Sequence, residues 1–254
     1  MGVLALDECL IALGGNLQIS GQVFKDALAQ LHLRGCRSVE MGRVLTTRPV
    51  GAEAGQEFLN AAAVLRTDQG PVELLRTLHE IESMFHRVRT RHWGPRTLDL
   101  DLILYSDLIS NIPQLVVPHP AMWYRRFVLE PAIDVAADMV HPTLHESVAE
   151  LHRRLMARPL RLEICSGGSA SDDRFFNAIM PQLRDARNNE LEWRPRDFAS
   201  GIAQDTFARI LLRQGEILSV SQPLHGKSRE IEVGGMTVAE VLVQLEHLSI
   251  AMLG

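Results

Sequence analysis

Cysteine and long apolar runs are both scarce in this sequence of 254 residues. The chain has three widely spaced cysteines and no CxxC pair: Cys9, Cys36 and Cys165. We therefore expect reduced thiols in a cytosolic setting, and neither a disulfide framework nor a cysteine zinc site. No segment reaches the roughly 18 consecutive apolar residues of a membrane span. The first ten residues lack the marks of a signal peptide or of myristoylation. These absences predict a cytoplasmic protein with no membrane partner.

Lysine is nearly absent as well. Of the 26 lysines and arginines only Lys25 and Lys227 are lysine, so an anion site over most of the chain must use arginine or backbone groups. The net charge of −5 argues against a general nucleic-acid binder. Positive charge is nevertheless concentrated in residues 87–96, "RVRTRHWGPR", which hold four arginines and no acid. The apolar content of 46% is typical of an ordinary globular protein.

The order of predicted elements indicates the fold class of the first part of the chain. The sequence predicts Ser20 as the cap of a first helix, before apolar residues at helical spacing, and Pro71 as the first residue of a second helix. Strands are predicted over "CLIAL", "RSVEMGRVLTT", "FLNAAAVLRT" and "TLDLDLILY". The order strand, helix, strand, strand, helix, strand is typical of a ferredoxin-like α+β sandwich, in which helices cover one face of an antiparallel sheet.

The remaining chain predicts a second unit. Short helical pieces follow Pro118, and "ARPLR" at residues 157–161 resembles a linker. We therefore expect one domain over residues 1–158 and a small α/β C-terminal unit over 159–254. In this unit the sequence predicts a "SGGSASDD" loop before a helix from about Arg174, a strand hairpin around Gln214, and a closing helix capped by Thr237. We expect the unit to serve homo-oligomerisation or partner docking, with the loop as a candidate anion site.

Two aspartates interrupt an otherwise apolar strand in "HWGPRTLDLDLIL". Because side chains alternate along a strand, Asp99 and Asp101 share one face while Leu98, Leu100 and Leu102 face the core. Carboxylates about 7 Å apart on one face can hold a hard divalent cation with positions open for phosphate oxygens. They could instead form salt bridges with the arginines just before them. Arginine forks also match phosphate oxygens, which favours a site for an anionic substrate.

Four motifs, in order, resemble the 6-hydroxymethyl-7,8-dihydropterin pyrophosphokinase family of folate biosynthesis. They are "IALGGNL", "RPVG" followed by "FLNAAA", "HWGPRTLDLDLILY", and "VPHPAMWYRRFVLEP". The resemblance covers about residues 9–158 and implies a ferredoxin-like α+β fold. It also implies transfer of the diphosphate of ATP to the hydroxymethyl group of the pterin, with release of AMP. Two Mg²⁺ ions and the co-substrate ATP are the implied cofactors.

The resemblance further implies a role for each matching residue. Asp99 and Asp101 match the family's two magnesium-binding aspartates, and Arg87 and Arg96 match catalytic arginines. The residues that match ATP contacts are His79, Glu82, Arg89, Trp93, His119 and Arg125. Those that match pterin contacts are Thr47, Pro49, Phe58, Asn60 and Phe127. Among these, the two phenylalanines match a pair that clamps the flat ring, a contact that suits aromatic stacking.

Two alternatives remain open on the sequence alone. His79, Glu82 and His86 fall at i, i+3 and i+7, a spacing that could bind zinc on one helical face of a hydrolytic enzyme. The arginine segment could also serve a non-catalytic nucleic-acid module, which would bind RNA or DNA with a steep salt dependence.

Overall fold

The structure is a computed structural model, and it describes residues 6–15, 21–47, 57–85, 98–166, 170–185, 190–196, 206–214, 229–235 and 237–253. The predicted residues Pro49, Arg87, Arg89, Trp93 and Arg96 lie outside these ranges, as does His86. The chain forms two compact units, Met1–His152 and Arg153–Leu253. Within the described residues, no helix is long and apolar enough to cross a membrane.

The first unit is built on an antiparallel sheet. Its described strands are β1 (Asp7–Gly15), β2 (Arg37–Met41), β3 (Leu45–Thr47), β4 (Phe58–Thr67) and β5 (Asp99–Tyr105). They lie in the order β2-β4-β1-β5, with β3 also paired to β4, and every one of these pairings is antiparallel. This sheet, together with the helices that follow β1 and β4, confirms the predicted α+β class.

Two helices cover one face of this sheet, α1 (Gly21–Leu33) and α2 (Pro71–Met84). Helix α2 begins at Pro71, as predicted, because a proline in the first turn gives up no helical hydrogen bond. The helices present apolar residues at helical spacing to alternate residues of the strands. The resulting core includes Phe24, Ala27, Leu31, Leu74, Leu78 and Ile81 of the helices and Ile11, Leu13, Ala61, Ala63 and Leu100 of the strands. Burial of each larger side chain contributes about 1.5 to 3 kcal/mol.

The opposite face carries small residues and a third helix. A hairpin of β6 (Ser110–Ile112) and β7 (Leu115–Val117) leads through a short 3-10 turn to α3 (Arg126–Ala136). Helix α3 packs against β4 and also contacts β1, β2 and β3. It approaches so closely that a Cβ placed on Gly42 would lie 2.2 Å from the carbonyl oxygen of Pro131. A helix on this second face goes beyond the predicted one-sided arrangement.

Two short strands follow α3, β8 (Val140–His141) and β9 (Glu146–Ser147), and they pair with each other. The turn between them closes around His141, whose Nδ1 accepts the N–H groups of Thr143 and Leu144 at 3.3 and 3.2 Å. Helix α4 (Val148–Met156) then spans the boundary between the two units. Ser147 caps this helix, because its Oγ accepts the N–H of Glu150 while the Glu150 carboxylate accepts the N–H of Ser147.

The second unit has a parallel sheet. Its described strands are β10 (Leu160–Ser166), β11 (Leu191–Pro195), β12 (Ala208–Gln214) and β13 (Glu230–Gly235), in the order β11-β10-β12-β13. Helix α5 (Ala170–Asp185) connects β10 to β11, and α6 (Val238–Leu253) follows β13. The cap predicted at Thr237 is confirmed, since its Oγ1 accepts the N–H of Glu240.

One detail of this unit differs from the sequence prediction, and a second lies outside the described residues. Helix α5 begins at Ala170 and not near Arg174, so Asp172 and Asp173 lie in its first turn. Acidic residues there are favoured by the positive end of the helix dipole, but they oppose the binding of an anion to the predicted loop. Both described neighbours of β12 are parallel strands, β10 and β13. The predicted hairpin partner after Gln214 lies outside the described residues.

Candidate active site

A row of paired residues crosses the second face of the first sheet. Gly14 of β1 is in register with Asn60 of β4 on one side and with Asp99 of β5 on the other. Directly paired residues of an antiparallel sheet project to the same face, so the amide and the carboxylate flank the glycine. A Cβ on Gly14 would lie 3.5 Å from Asn60 Oδ1 and 4.0 Å from Asp99 Cβ. Because Gly14 has no side chain, β1 leaves a gap between Asn60 and Asp99 at this position.

Asp99 and Asp101 border this gap from β5. Both are half-buried, whereas Leu98, Leu100 and Leu102 are at most 5% exposed. The predicted alternation of aspartates and leucines is therefore confirmed. Carboxylate oxygens that share one face and stay partly open to solvent are the hard ligands that Mg²⁺ prefers, together with water and phosphate oxygens. The donor set fits a magnesium site.

Thr47, Phe58 and Asn60 lie together on the other side of the gap. Thr47 of β3 pairs with Phe58 of β4, and the Thr47 Oγ1 accepts a hydrogen bond of 2.8 Å from Asn60 Nδ2. Asn60 is only 8% exposed, and the hydrogen bond holds its carboxamide in one orientation with Oδ1 on the side of Gly14. Phe58 is half-buried two residues earlier on the same strand face. The structure thus brings together three of the five residues predicted for the pterin.

The start of α3 adds two further predicted residues. Arg125 immediately precedes the helix, and its guanidinium carbon lies 5.6 Å from the ring centroid of Phe127. At this distance the cation interacts favourably with the face of the ring. Both side chains are half-buried. The contact joins a residue predicted for ATP to one predicted for the pterin.

His119 lies near Arg125 and Asp99, and both charges affect its pKa. Burial lowers the pKa of His119 to about 3, with Arg125 acting in the same direction and Asp99 opposing it. The imidazole Nδ1 accepts the N–H of Ala121 at 3.2 Å, so the neutral ring carries its proton on Nε2. His119 can therefore donate a neutral N–H to a phosphate oxygen near pH 7.

The two residues predicted on α2, His79 and Glu82, differ in their exposure to solvent. His79 is exposed, whereas Glu82 is 2% exposed and its Oε1 accepts the backbone N–H of Leu100 at 2.9 Å. The Glu82 carboxylate thus faces β5. Among the described residues, no group of three His, Cys, Asp or Glu side chains could hold a metal. His86, the third ligand of the zinc alternative, lies outside these residues, so they do not test this alternative.

One contact beside the site has no counterpart in the sequence prediction. Arg43, between β2 and β3, binds Asp134 of α3 through its guanidinium group, and its backbone N–H donates to the same carboxylate at 2.9 Å. The ion pair holds the pKa of Asp134 below its usual range. It ties the segment that leads to Thr47 to the helix that carries Phe127. No sequence signal indicates this contact, because the two residues meet only once α3 packs on the sheet.

The fold and the site together define an α+β protein with two carboxylates beside a polar and aromatic surface. Residues 10–137 match the sequence model of the 7,8-dihydro-6-hydroxymethylpterin-pyrophosphokinase (HPPK) family. The chain belongs to this family, and the predicted family and enzyme class, a pyrophosphokinase of folate biosynthesis, are confirmed. The C-terminal unit lies outside the matched residues.

Individual relatives agree with this assignment. A 2-amino-4-hydroxy-6-hydroxymethyldihydropteridine pyrophosphokinase from Synechocystis is 34% identical over 170 residues, which are 66% of this chain and 87% of the relative. The protein of the same name from Pseudomonas aeruginosa is 39% identical over 138 residues, 54% of this chain and 85% of the relative. A crystal structure of Plasmodium falciparum HPPK-DHPS has a TM-score of 0.48 at 10% identity, covering 70% of this chain and 55% of that one.

Proposed function

We propose that this enzyme transfers the β,γ-diphosphate of ATP to the hydroxymethyl oxygen of 6-hydroxymethyl-7,8-dihydropterin, releases AMP, and requires two Mg²⁺ ions. The observation that carries the proposal is the row formed by Asn60, Gly14 and Asp99. This row has an oriented amide on one side and hard oxygen ligands on the other, with a gap between them. Such a surface suits a substrate that is a flat heterocycle at one end and reacts with a polyphosphate at the other.

The reaction requires a bond exchange at the β-phosphorus. The hydroxymethyl oxygen of the pterin bonds to this phosphorus, the bond to the α,β-bridging oxygen breaks, and AMP leaves with that oxygen. The hydroxyl proton passes to solvent. Transfers of this type have loose transition states, so positioning and neutralisation of charge provide most of the catalysis and no strong base is needed. Magnesium held by Asp99 and Asp101 would supply charge neutralisation at the phosphates.

Side chains of the protein make the remaining proposed contacts with ATP and the pterin. His119 donates its Nε2–H to a phosphate oxygen, and Arg125 adds positive charge beside it. Asn60 and Thr47 hydrogen-bond the edge of the pterin, while Phe58 and Phe127 stack on its two faces. The family resemblance adds Arg87, Arg89, Trp93 and Arg96 on the phosphate side and Pro49 on the pterin side. His79 and Glu82 complete the proposed nucleotide contacts.

We also propose a fold description for the first unit, domain bounds and a cellular location. The strand order β2-β4-β1-β5 supports a ferredoxin-like description of the first unit. We propose residues 1–158 as the pyrophosphokinase domain and residues 159–254 as a module for homo-oligomerisation or partner docking. A cytoplasmic location, with neither nucleic acid nor membrane as partner, is supported by the cysteine usage and by the negative net charge.

The test is an assay of AMP release from ATP by the full chain, with each component omitted in turn. We expect AMP only when ATP, Mg²⁺ and the pterin alcohol are all present, and a diphosphorylated pterin in equal amount. Release of ADP and phosphate instead of AMP would refute the proposed bond exchange. Hydrolysis of ATP without the pterin, lost on chelation and restored by Zn²⁺ but not by Mg²⁺, would favour the hydrolytic alternative.

A further inference from the structure

Strand β5 carries the two aspartates and forms one edge of the first sheet. Among the described strands it pairs only with β1. Amides along an antiparallel strand point alternately to the two sides, so every second N–H of an edge strand lacks a partner strand. The N–H of Leu100 points to the open side, because Glu82 of α2 accepts it at 2.9 Å. Leu100 lies between Asp99 and Asp101.

The position of Glu82 is costly for a carboxylate. The side chain is 2% exposed, and a buried carboxylate needs partners that stabilise it, of which the Leu100 N–H is one. It also lies in the last turn of α2, where the negative end of the helix dipole repels a carboxylate. Its neighbour Ile81 is fully buried in the core. An apolar residue at position 82 would avoid both costs but would leave the Leu100 N–H without this acceptor.

Leu100 is held both by packing of its side chain and by the hydrogen bond from its N–H to Glu82. The Leu100 side chain is 1% exposed and packs in the same core as Leu78 and Ile81 of α2, while its N–H is held by Glu82. The backbone between the two aspartates therefore has little freedom to shift along or away from the edge. Carboxylates that bind Mg²⁺ must hold near-octahedral geometry, so small backbone shifts at this point reduce affinity for the ion.

We infer that Glu82 is a positioning residue, whose carboxylate holds the Leu100 N–H and thereby fixes the spacing and direction of Asp99 and Asp101 for the metal. This inference rests on the proposed function and changes the role of Glu82 from a contact of the nucleotide to a support of the metal site. The role requires an acceptor of the right reach and does not require the negative charge.

Two substitutions of Glu82 distinguish the effect of side-chain length from the effect of charge. Glu82→Asp keeps the charge but shortens the side chain by one methylene, so that the carboxylate no longer reaches Leu100. Glu82→Gln keeps the reach and a carbonyl acceptor but removes the charge. Glu80→Gln on the same helix is the matched control, because Glu80 is exposed and lies away from β5.

The first measurement is amide hydrogen exchange at Leu100 in the full chain, which does not depend on any activity. We expect exchange at least tenfold faster in Glu82→Asp than in the wild type, and rates within twofold of the wild type in Glu82→Gln and Glu80→Gln. Unchanged exchange in Glu82→Asp would overturn the inference. A failure of the proposed function would be seen separately, as absence of AMP release by the wild type.

The second measurement is the Mg²⁺ concentration for half-maximal AMP release, compared with binding of AMP in the absence of metal. If Glu82 is a positioning residue, Glu82→Asp should raise the Mg²⁺ concentration for half-maximal AMP release tenfold or more, while AMP binding changes less than twofold. In Glu82→Gln this Mg²⁺ concentration should stay within threefold of the wild-type value. Weaker AMP binding in both variants at an unchanged Mg²⁺ requirement would overturn the inference in favour of direct nucleotide contact. An equal rise in Mg²⁺ requirement in both variants would overturn it in favour of the charge.

Discussion

Acidification should destabilise the first unit through His141. This side chain is 2% exposed, and its Nδ1 accepts two backbone N–H groups, from Thr143 and Leu144. A proton on Nδ1 would remove both hydrogen bonds and place a charge in the interior. Burial accordingly lowers the pKa of His141 to about 4. The unfolded chain binds the proton more tightly, near pH 6.5, so stability falls as the pH drops below 6.5.

The size of the effect follows from the two pKa values. Between about 6.5 unfolded and about 4 folded, the linkage relation gives a loss of about 2 kcal/mol by pH 5 and about 3 kcal/mol by pH 4, relative to pH 8. A loss of this size is a large part of the stability of a typical domain. Above pH 7 both states hold a neutral His141, so no further change is expected from this group.

The control is His141→Asn, whose side-chain oxygen branches from Cγ as Nδ1 does and can accept the same N–H groups without titrating. Urea unfolding at several pH values, followed by labelling of the buried Cys9 thiol, would report on the first unit. Because other groups titrate equally in both proteins, the difference between wild type and variant isolates His141. Parallel pH profiles for the two proteins would refute the reasoning.

Three further predictions concern the surroundings of the site and the C-terminal unit. Gly42→Ala should destabilise the first unit by about 1 to 3 kcal/mol in urea, since its Cβ would lie 2.2 Å from the Pro131 oxygen. Gly70→Ala, with nothing within 4 Å, is the control, and equal midpoints for the two variants would contradict the close packing of α3. Thr47→Val should raise the KM for the pterin about tenfold, because loss of the hydroxyl leaves Asn60 unoriented. The exposed neighbour substitution Thr46→Val should change that KM little, and an unchanged KM in Thr47→Val would remove Thr47 from the site. Truncation after Arg158 should preserve kcat and give a monomer in solution, as measured by light scattering. Loss of activity with a folded first unit would instead make the C-terminal unit part of the catalytic machinery.

The sequence predicted best those features that depend on local periodicity. The leucines and aspartates of β5 alternate with period two, and this pattern alone gives the face of each side chain. Pro71 likewise indicates the start of α2 by its own backbone chemistry. The predicted start of α5 was wrong for a local reason too, because Ser and Asp residues are favoured both in loops and in the first turn of a helix.

Features that depend on register or on packing were not predictable from the sequence. Gly14 belongs to a recognisable motif, but its place between Asn60 and Asp99 follows from the pairing of three strands. Glu82 has the spacing of a polar contact on α2, yet its burial depends on which side of the helix meets β5. The approach of α3 to Gly42 arises only in the folded unit.

The most direct test of the central claim compares Asp99→Asn with Asp107→Asn in the AMP-release assay at saturating ATP and pterin. Both substitutions remove one negative charge, but Asp107 is exposed in the turn after β5. We expect kcat to fall at least a hundredfold in Asp99→Asn, with an unchanged urea midpoint, and Asp107→Asn to match the wild type. An unchanged kcat and Mg²⁺ dependence in Asp99→Asn would contradict a magnesium site on β5 and with it the proposed mechanism.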